Sequence, residues 1–329
     1  MNTKLIARRK TRQVKVGKVF VGGDALISVQ SMTKTKTEDI DATVTQIREL
    51  TAAGCDIIRC AVPNEEAARA LKEIISQVQI PVVADIHFNY RLALMSLESG
   101  VSKIRINPGN IGERSRVEAV LKACLERKVP IRIGVNSGSI EKHILKKYGH
   151  PTPEAMVESA LYHIHLCEEC NFEDIIIALK ASDVPMMIAA YRLISSKVDY
   201  PLHLGVTEAG PVWGGTIKSS IGIGILLEEG IGDTIRVSLT GEPHEEVRVG
   251  KAILKSLGLS RKGVTLVSCP TCGRLETPDL PQIAQQLEKR LQNIDKDITV
   301  AVMGCAVNGP GEAREADLGV ACGDRKSVV

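Results

Sequence analysis

The stretch PVVADIHFNYRLALMSLESGVSKIRINPGN, residues 81–110, decides how this chain is read. A valine-rich run ends in the polar residues Asp85 and His87. A stretch of helical character follows, and Gly100 falls where a helix would end. A second branched-aliphatic run then ends in Asn107 and Asn110. Similar runs occur at 26–32, 55–62, 129–138, 172–182, 200–210 and 233–241. Between many of them, apolar residues recur at helical spacing (i, i+3, i+4, i+7), as in NEEAARALKEIISQV and RSRVEAVLKACLERK. Eight strand-then-helix units predict a TIM-type (β/α)8 barrel across roughly 26–258. A doubly wound open sheet is the main alternative, but no GxGxxG follows the first strand. The piece VKVGKVFVGGDA, 14–25, reads as a hairpin plugging the bottom of the barrel.

Aromatic residues make up 3% of the 329, so the core must come from Ile, Val, Leu and Ala. That suits a parallel sheet buried on both faces. A net charge of +3 with so few stacking aromatics argues against a nucleic-acid partner. The basic start MNTKLIARRKTRQVKVG lacks the apolar run of a secretory signal, and no window reaches the length of a membrane span. The expected location is the cytoplasm, where a disulfide framework for the nine cysteines is not expected.

The character changes after residue 262. Residues 1–262 read as the barrel with its hairpin. Residues 263–329 read as a small α+β domain: the strand VTLVSCP, a helix, the strand DITVAVMGC, the loop AVNGPGEAREA, and an abrupt end in VACGDRKSVV with no further strand.

In a TIM barrel, chemistry sits at the C-terminal strand ends. Here these carry Ser31 and Thr33, Arg59, Asp85 and His87, Arg105 with Asn107, Arg132 with Asn136, Lys180 and Ser182, His203 with Glu208, and Arg236 with Ser238. One strand arginine is usually a surface residue. Four at matching places, with Lys180, would repel one another without an anion, and arginine suits bidentate phosphate recognition. A doubly charged phosphorylated substrate is therefore expected. The piece GGTIKSSIG, 214–222, could add backbone N–H donors at a helix start. Asp85 reads as orienting the arginines, and Glu208 as a proton donor.

The motif CPTC, Cys269 and Cys272, is open to zinc, an iron–sulfur cluster, a redox disulfide, or nothing special. Zinc wants four N or S ligands. Besides Cys322 in the terminal segment, a weaker candidate ligand, the second half adds only Cys305, and no His follows residue 244. A three-cysteine cluster with an oxygen ligand fits better, and Glu312 lies seven residues beyond Cys305. Cys55, Cys60, Cys124 and Cys167 fall in strand or helix patterns and read as inert buried residues.

The pieces SCPTCGR and MGCAVNGPGEAREAD follow a barrel with ADIHFN, IRINPGNIG, IRIGVNSGS, LHLGVTEAG and GIGDTIRVSLT. Together, from about residue 8 to 320, they closely resemble the bacterial 4-hydroxy-3-methylbut-2-en-1-yl diphosphate synthase family of the methylerythritol phosphate route to isoprenoids. The resemblance implies a barrel like that of dihydropteroate synthase and a second domain like part of sulfite and nitrite reductases. It implies a [4Fe–4S] cluster on Cys269, Cys272, Cys305 and Glu312, and a substrate, 2-C-methyl-D-erythritol 2,4-cyclodiphosphate, held by Arg59, Arg105, Arg132, Lys180 and Arg236. Asn308 joins the substrate contacts. Glu312, as the ligand that yields to substrate, joins Glu208 among the catalytic residues. Electrons would come from flavodoxin or ferredoxin, and the family is a homodimer whose active site is shared between subunits. Members usually continue for a few tens of residues past ADLGVA, so a shortened domain with a labile cluster is expected here. Two other readings compete: a barrel with a zinc-stabilised interaction module, and a dihydropteroate-synthase-like transferase.

Overall fold

The computed structural model describes residues 6–106, 111, 113–260, 263–291, 294, 296–323 and 326–328. The chain divides into two compact units, one ending at Leu257 and one starting at Gly258.

In the first unit, β1 (Val14–Val16) and β2 (Val19–Val21) form an antiparallel hairpin. Eight parallel strands follow: β3 (Ser28–Met32), β4 (Ile57–Ala61), β5 (Val82–Asp85), β6 (Lys103–Ile106), β7 (Ile131–Asn136), β8 (Ile175–Lys180), β9 (His203–Leu204) and β10 (Thr234–Ile235). Their order is β8-β7-β6-β5-β4-β3-β10-β9, and a parallel bridge from Ile177 to Leu202 links β8 to the approach of β9. The expected eight-stranded barrel is present. Several helices begin where the sequence offers a side-chain acceptor: Asp39 takes Ala42 N–H at 3.1 Å, Asn64 takes Ala67 N–H at 2.8 Å and Asp183 takes Met186 N–H at 2.7 Å. Each such cap contributes about 1 kcal/mol.

The hairpin packs its Val14, Val16 and Val21 against Ile57, Val83 and Ile176, near the N-terminal ends of β4, β5 and β8. The basic N-terminus is structural as well. Arg8 pairs with the buried Asp233 at 2.9 Å, and Arg9 donates to the carbonyls of Val198 and Tyr200.

The barrel interior departs from an all-aliphatic core. Side chains alternate along a strand. Ile104 and Ile106 of β6, and Ile131 and Ile133 of β7, therefore lie on the opposite face from Lys103, Arg105 and Arg132. Charged residues occupy one face of strands whose other face is aliphatic, and both faces are buried.

The second unit is a four-stranded sheet in the order β11-β12-β13-β14. Its strands are β11 (Thr265–Ser268), β12 (Thr299–Met303), β13 (Leu318–Gly323) and β14 (Lys326–Val328). The first three are parallel and β14 is antiparallel. Two expectations are corrected here. The terminal segment supplies two strands, because β12 offers a free edge that β13 completes. The loop after Cys305 contains a short helix, Gly309–Arg314.

Candidate active site

Asp85, the last residue of β5, anchors the barrel's cations. It accepts a hydrogen bond from Arg105 at 3.1 Å and faces Arg59 and His87, each at 3.6 Å. Burial alone would raise its carboxyl pKa, but Arg59, His87 and Arg105 outweigh burial and hold it well below the usual carboxylate range. Asp85 is ionised and orients both arginines.

The fourth arginine has a different anchor. Arg236, just past β10, faces buried Glu246 at 3.6 Å. Glu246, on the helix Pro243–Ser256, also accepts from Leu239 N–H at 3.0 Å and Ser31 Oγ at 3.3 Å. Two glycines make room for the cations. A Cβ at Gly134 would stand 3.0 Å from Arg105 Nε. One at Gly205 would stand 2.6 Å from Lys180 Nζ and 2.5 Å from the Arg236 carbonyl.

Arg132 sits deeper than the sequence suggested. It is the second residue of β7, not a residue near the end, and only 1% of it is exposed. Lys103, at the start of β6, and His203, on β9, are also fully buried. Burial, then Arg132 and Arg59, pushes the Lys103 ammonium well below its ordinary pKa. Burial, then Arg236, Arg132 and Arg59, does the same to Lys180, and burial with Arg132 and Lys180 keeps His203 neutral. Arg59 and Arg132 are depressed by burial too. A guanidinium keeps its proton, so for the arginines this is the cost of charge held without enough counter-charge. Six largely buried cations, Arg59, Lys103, Arg105, Arg132, Lys180 and Arg236, face two buried carboxylates, Asp85 and Glu246.

Glu208 is exposed in the loop after β9. This loop is fixed by Thr207 N–H on the Ala181 carbonyl and Thr240 N–H on the Gly210 carbonyl. Its φ of +50° is left-handed, which is uncommon for a residue with a side chain and recurs at functional sites. Asn136, Ser182 and Ser238 stand at the strand ends, but none makes a side-chain hydrogen bond to another described residue. Asn107 lies outside the described residues. The piece 214–222 is not a helix start: the helix runs Val212–Glu228, and Gly215 N–H is already bonded to the Pro211 carbonyl.

In the second unit, Cys269, Cys272, Cys305 and Glu312 line one cavity of about 280 Å³ together with Asn308 and Arg274. The CPTC loop is shaped by Thr271 at a left-handed φ of +53° and pinned by Glu276 N–H on the Gly304 carbonyl. Gly304 packs closely there: a Cβ would stand 2.5 Å from a Leu275 methyl and 2.8 Å from a Leu280 methyl, so both side chains would have to shift. The backbone N–H groups of Asn308 and Val307 hold the Cys305 thiol below its ordinary pKa, as a thiolate ligand needs. Burial raises Cys55, Cys124 and Cys167 to about 12 and Cys60 to about 11. Among the described residues, no three His, Cys, Asp or Glu side chains gather closely enough to bind a single metal ion. Donors spread around a cavity suit a group whose several irons each take one ligand, not one tetrahedral ion.

The sequence reading missed Lys103 and Glu246. Lys103 had a signal, standing two residues before Arg105 and so on the same face of β6. Glu246 had none, because its role arises only from the packing of its helix on β3 and β10.

Fold and sites together define a class: a TIM barrel with a cation-filled interior, joined to a small parallel-sheet unit that presents thiols and a carboxylate. The chain belongs to the GcpE family, whose TIM-barrel domain matches residues 11–251 and whose C-terminal domain matches residues 265–329. It is 61% identical over 322 residues to the 4-hydroxy-3-methylbut-2-en-1-yl diphosphate synthase (flavodoxin) of Clostridium perfringens, covering 98% of this chain and 92% of that protein. It is 62% identical to the synthase of the same name from Geobacter sulfurreducens, covering 98% and 91%. Among solved structures, dihydropteroate synthase from Xanthomonas albilineans aligns at a TM-score of 0.54 and 13% identity, covering 75% of this chain and 98% of that one. A 3-dehydroquinate dehydratase from Geobacillus kaustophilus aligns at 0.53 and 14%, covering 76% and 99%. At such identity the likeness shows the barrel fold and says nothing of the reaction. No helix among the described residues is long and apolar enough to cross a membrane.

Proposed function

We propose that this chain is an oxidoreductase that opens and reduces 2-C-methyl-D-erythritol 2,4-cyclodiphosphate to (E)-4-hydroxy-3-methylbut-2-enyl diphosphate. Two electrons and a proton enter and one water leaves, so a dianionic ring becomes a trianionic chain. The observation that carries this reading is the set of six barrel cations facing two carboxylates. Charge develops on the diphosphate as the ring opens, and fixed cations in a dry interior stabilise it more in the transition state than in the ground state. Arg59 and Arg105, aligned by Asp85, Arg236, aligned by Glu246, and Lys180 and Arg132 hold the two phosphates. Asn136, Ser182, Ser238 and Asn308 have the hydrogen-bonding capacity to orient the rest of the substrate, and His87 stands over Asp85. Glu208 protonates the leaving oxygen.

The electron route is the second unit. Cys269, Cys272, Cys305 and Glu312 would hold a [4Fe–4S] cluster, which supplies single-electron transfer and a Lewis-acidic iron. Cys305 is already biased toward the thiolate form that a ligand needs. Reduced flavodoxin is the donor, in keeping with the names of the relatives. The chain acts as a homodimer. The helix Val212–Glu228 supports this: Trp213, 81% exposed, leads Ile217, Ile221 and Ile225 in a stripe at four-residue spacing. A sedimentation experiment showing a monomer would remove the dimer alone.

The test of function is anaerobic incubation of iron- and sulfide-loaded protein with the cyclodiphosphate and reduced flavodoxin, followed by phosphorus NMR. The expected product shows a terminal phosphate signal that shifts with pH as that phosphate titrates, which the ring, esterified at both phosphorus atoms, lacks. An intact ring after full reduction of the protein contradicts the proposal.

A further inference from the structure

Beneath the residues assigned to the diphosphate, and sharing Arg132 with them, lies a second polar tier inside the barrel. It consists of Ser28 and Gln30 on β3, Lys103 on β6, Arg132 on β7, His203 on β9 and Thr234 on β10, all buried. Ser28, Thr234 and His203 are neighbours in strand register, and Lys103 donates to Gln30 Oε1 at 3.1 Å. The tier is short of acceptors. Among the described residues, no hydrogen-bond partner is found for Ser28 Oγ, Gln30 Nε2, Arg132 Nε and Nη1, both ring nitrogens of His203, or Thr234 Oγ1. Buried polar atoms without partners are rare, and most of these can donate.

We infer that this lower tier binds a small inorganic monoanion of chloride's size and charge, held by Lys103 and Arg132 with Gln30 and the two hydroxyls completing its shell. Charge balance points the same way. Asp85 and Glu246 neutralise two of the six barrel cations. A cyclic diphosphate carries one ionised oxygen on each phosphorus and neutralises two more. Two positive charges remain. Lys103 is the one barrel cation outside the diphosphate set, and Arg132, shared between the tiers, keeps Nε and Nη1 without a partner among the described residues. Water would satisfy hydrogen bonds there but not charge. Only this charge count rests on the cyclodiphosphate reading; the unpartnered donors stand without it.

The experiment uses bromide as probe on the full chain without substrate. Crystals grown free of chloride and soaked in bromide should show an anomalous peak at hydrogen-bond distance from Lys103 Nζ and the Arg132 guanidinium. In solution, sodium chloride should raise the melting temperature saturably over sodium gluconate of equal ionic strength. Lys103→Met should lose both effects while still melting cooperatively. If that variant does not fold, the bromide map of the wild type decides alone. A lower tier holding only water, or a peak confined to Arg59, Lys180 and Arg236, overturns the inference. Neither result bears on turnover of the cyclodiphosphate, so the two readings fail separately.

Discussion

In the barrel, Arg59, Asp85, Arg105, Arg132 and Lys180 are buried, each on a strand and several paired to one another. In the second unit, Cys272 and Glu312 are exposed and Cys269 is half-buried. The buried apolar residues described there are few: Leu280, Ala301, Val302, Met303, Cys305 and Ala321. The barrel thus arranges its binding groups in advance, with a large core to hold charges that repel. The second unit has a small core, and a domain of its size is marginal on burial alone. Ligation of a cluster would add folding energy there, as metal sites do in other small domains. The difference assigns stability to one half and dependence on a bound group to the other.

The largest test of that contrast is removal of a thiol. Cys269→Ser and Cys305→Ser should each abolish turnover and visible absorbance while the barrel still melts cooperatively at its wild-type temperature. A fall in barrel melting would mean that the two halves are not separable in this way.

Glu208→Gln comes next. A lost general acid lowers kcat by roughly 10²–10⁴. KM and iron content should stay within about twofold, and steady-state kinetics on the iron-loaded protein reads both.

Asp85→Asn probes the cost of the buried cations. It leaves Arg59 and Arg105 without their shared carboxylate, a loss of about 3–5 kcal/mol for a broken buried pair. Chemical denaturation should show that loss in the barrel transition, and inorganic diphosphate should restore part of it.

The smallest effect is a pH dependence. The cationic form of Lys180 binds anions, and its pKa in the free barrel lies well below the ordinary 10.5. Raising pH through that depressed pKa removes the charge, so diphosphate affinity should fall while pH is still below the ordinary lysine range. Binding should raise the pKa and take up a proton, visible calorimetrically as a dependence on the buffer's ionisation heat. Lys180→Arg should abolish the proton uptake, since a guanidinium stays charged.

The barrel was legible because its signal is local and repeated: eight branched-aliphatic runs, each followed by a helix, five of them with a side-chain acceptor at a helix start. The clustering of arginines was legible too, since Asp85, Arg105 and Lys180 each end or nearly end a strand. Depth was not. Arg132 reads as a mouth residue because IRIGVNSG gives no hint of where β7 begins. Glu246 could not be found from sequence, because EPHEEV looks like an ordinary acidic helix start and acquires its role only against Ser31, Leu239 and Arg236. In the second unit, CPTC and GCAVNGPGE marked the thiols. The two last strands were missed because ADLGVACGDRKSVV has no alternating pattern and pairs through its backbone on β12 and β13.

The most direct test of the central claim, that barrel cations and second-unit thiols serve one reductive reaction, is an anaerobic titration of iron and sulfide into the cluster-free chain. Turnover of the cyclodiphosphate with reduced flavodoxin is measured at each step. The account predicts turnover that is absent without iron and rises in proportion to the iron bound through Cys269, Cys272 and Cys305. Turnover by the iron-free chain, or a fully loaded chain that binds the cyclodiphosphate and never opens it, would contradict the account.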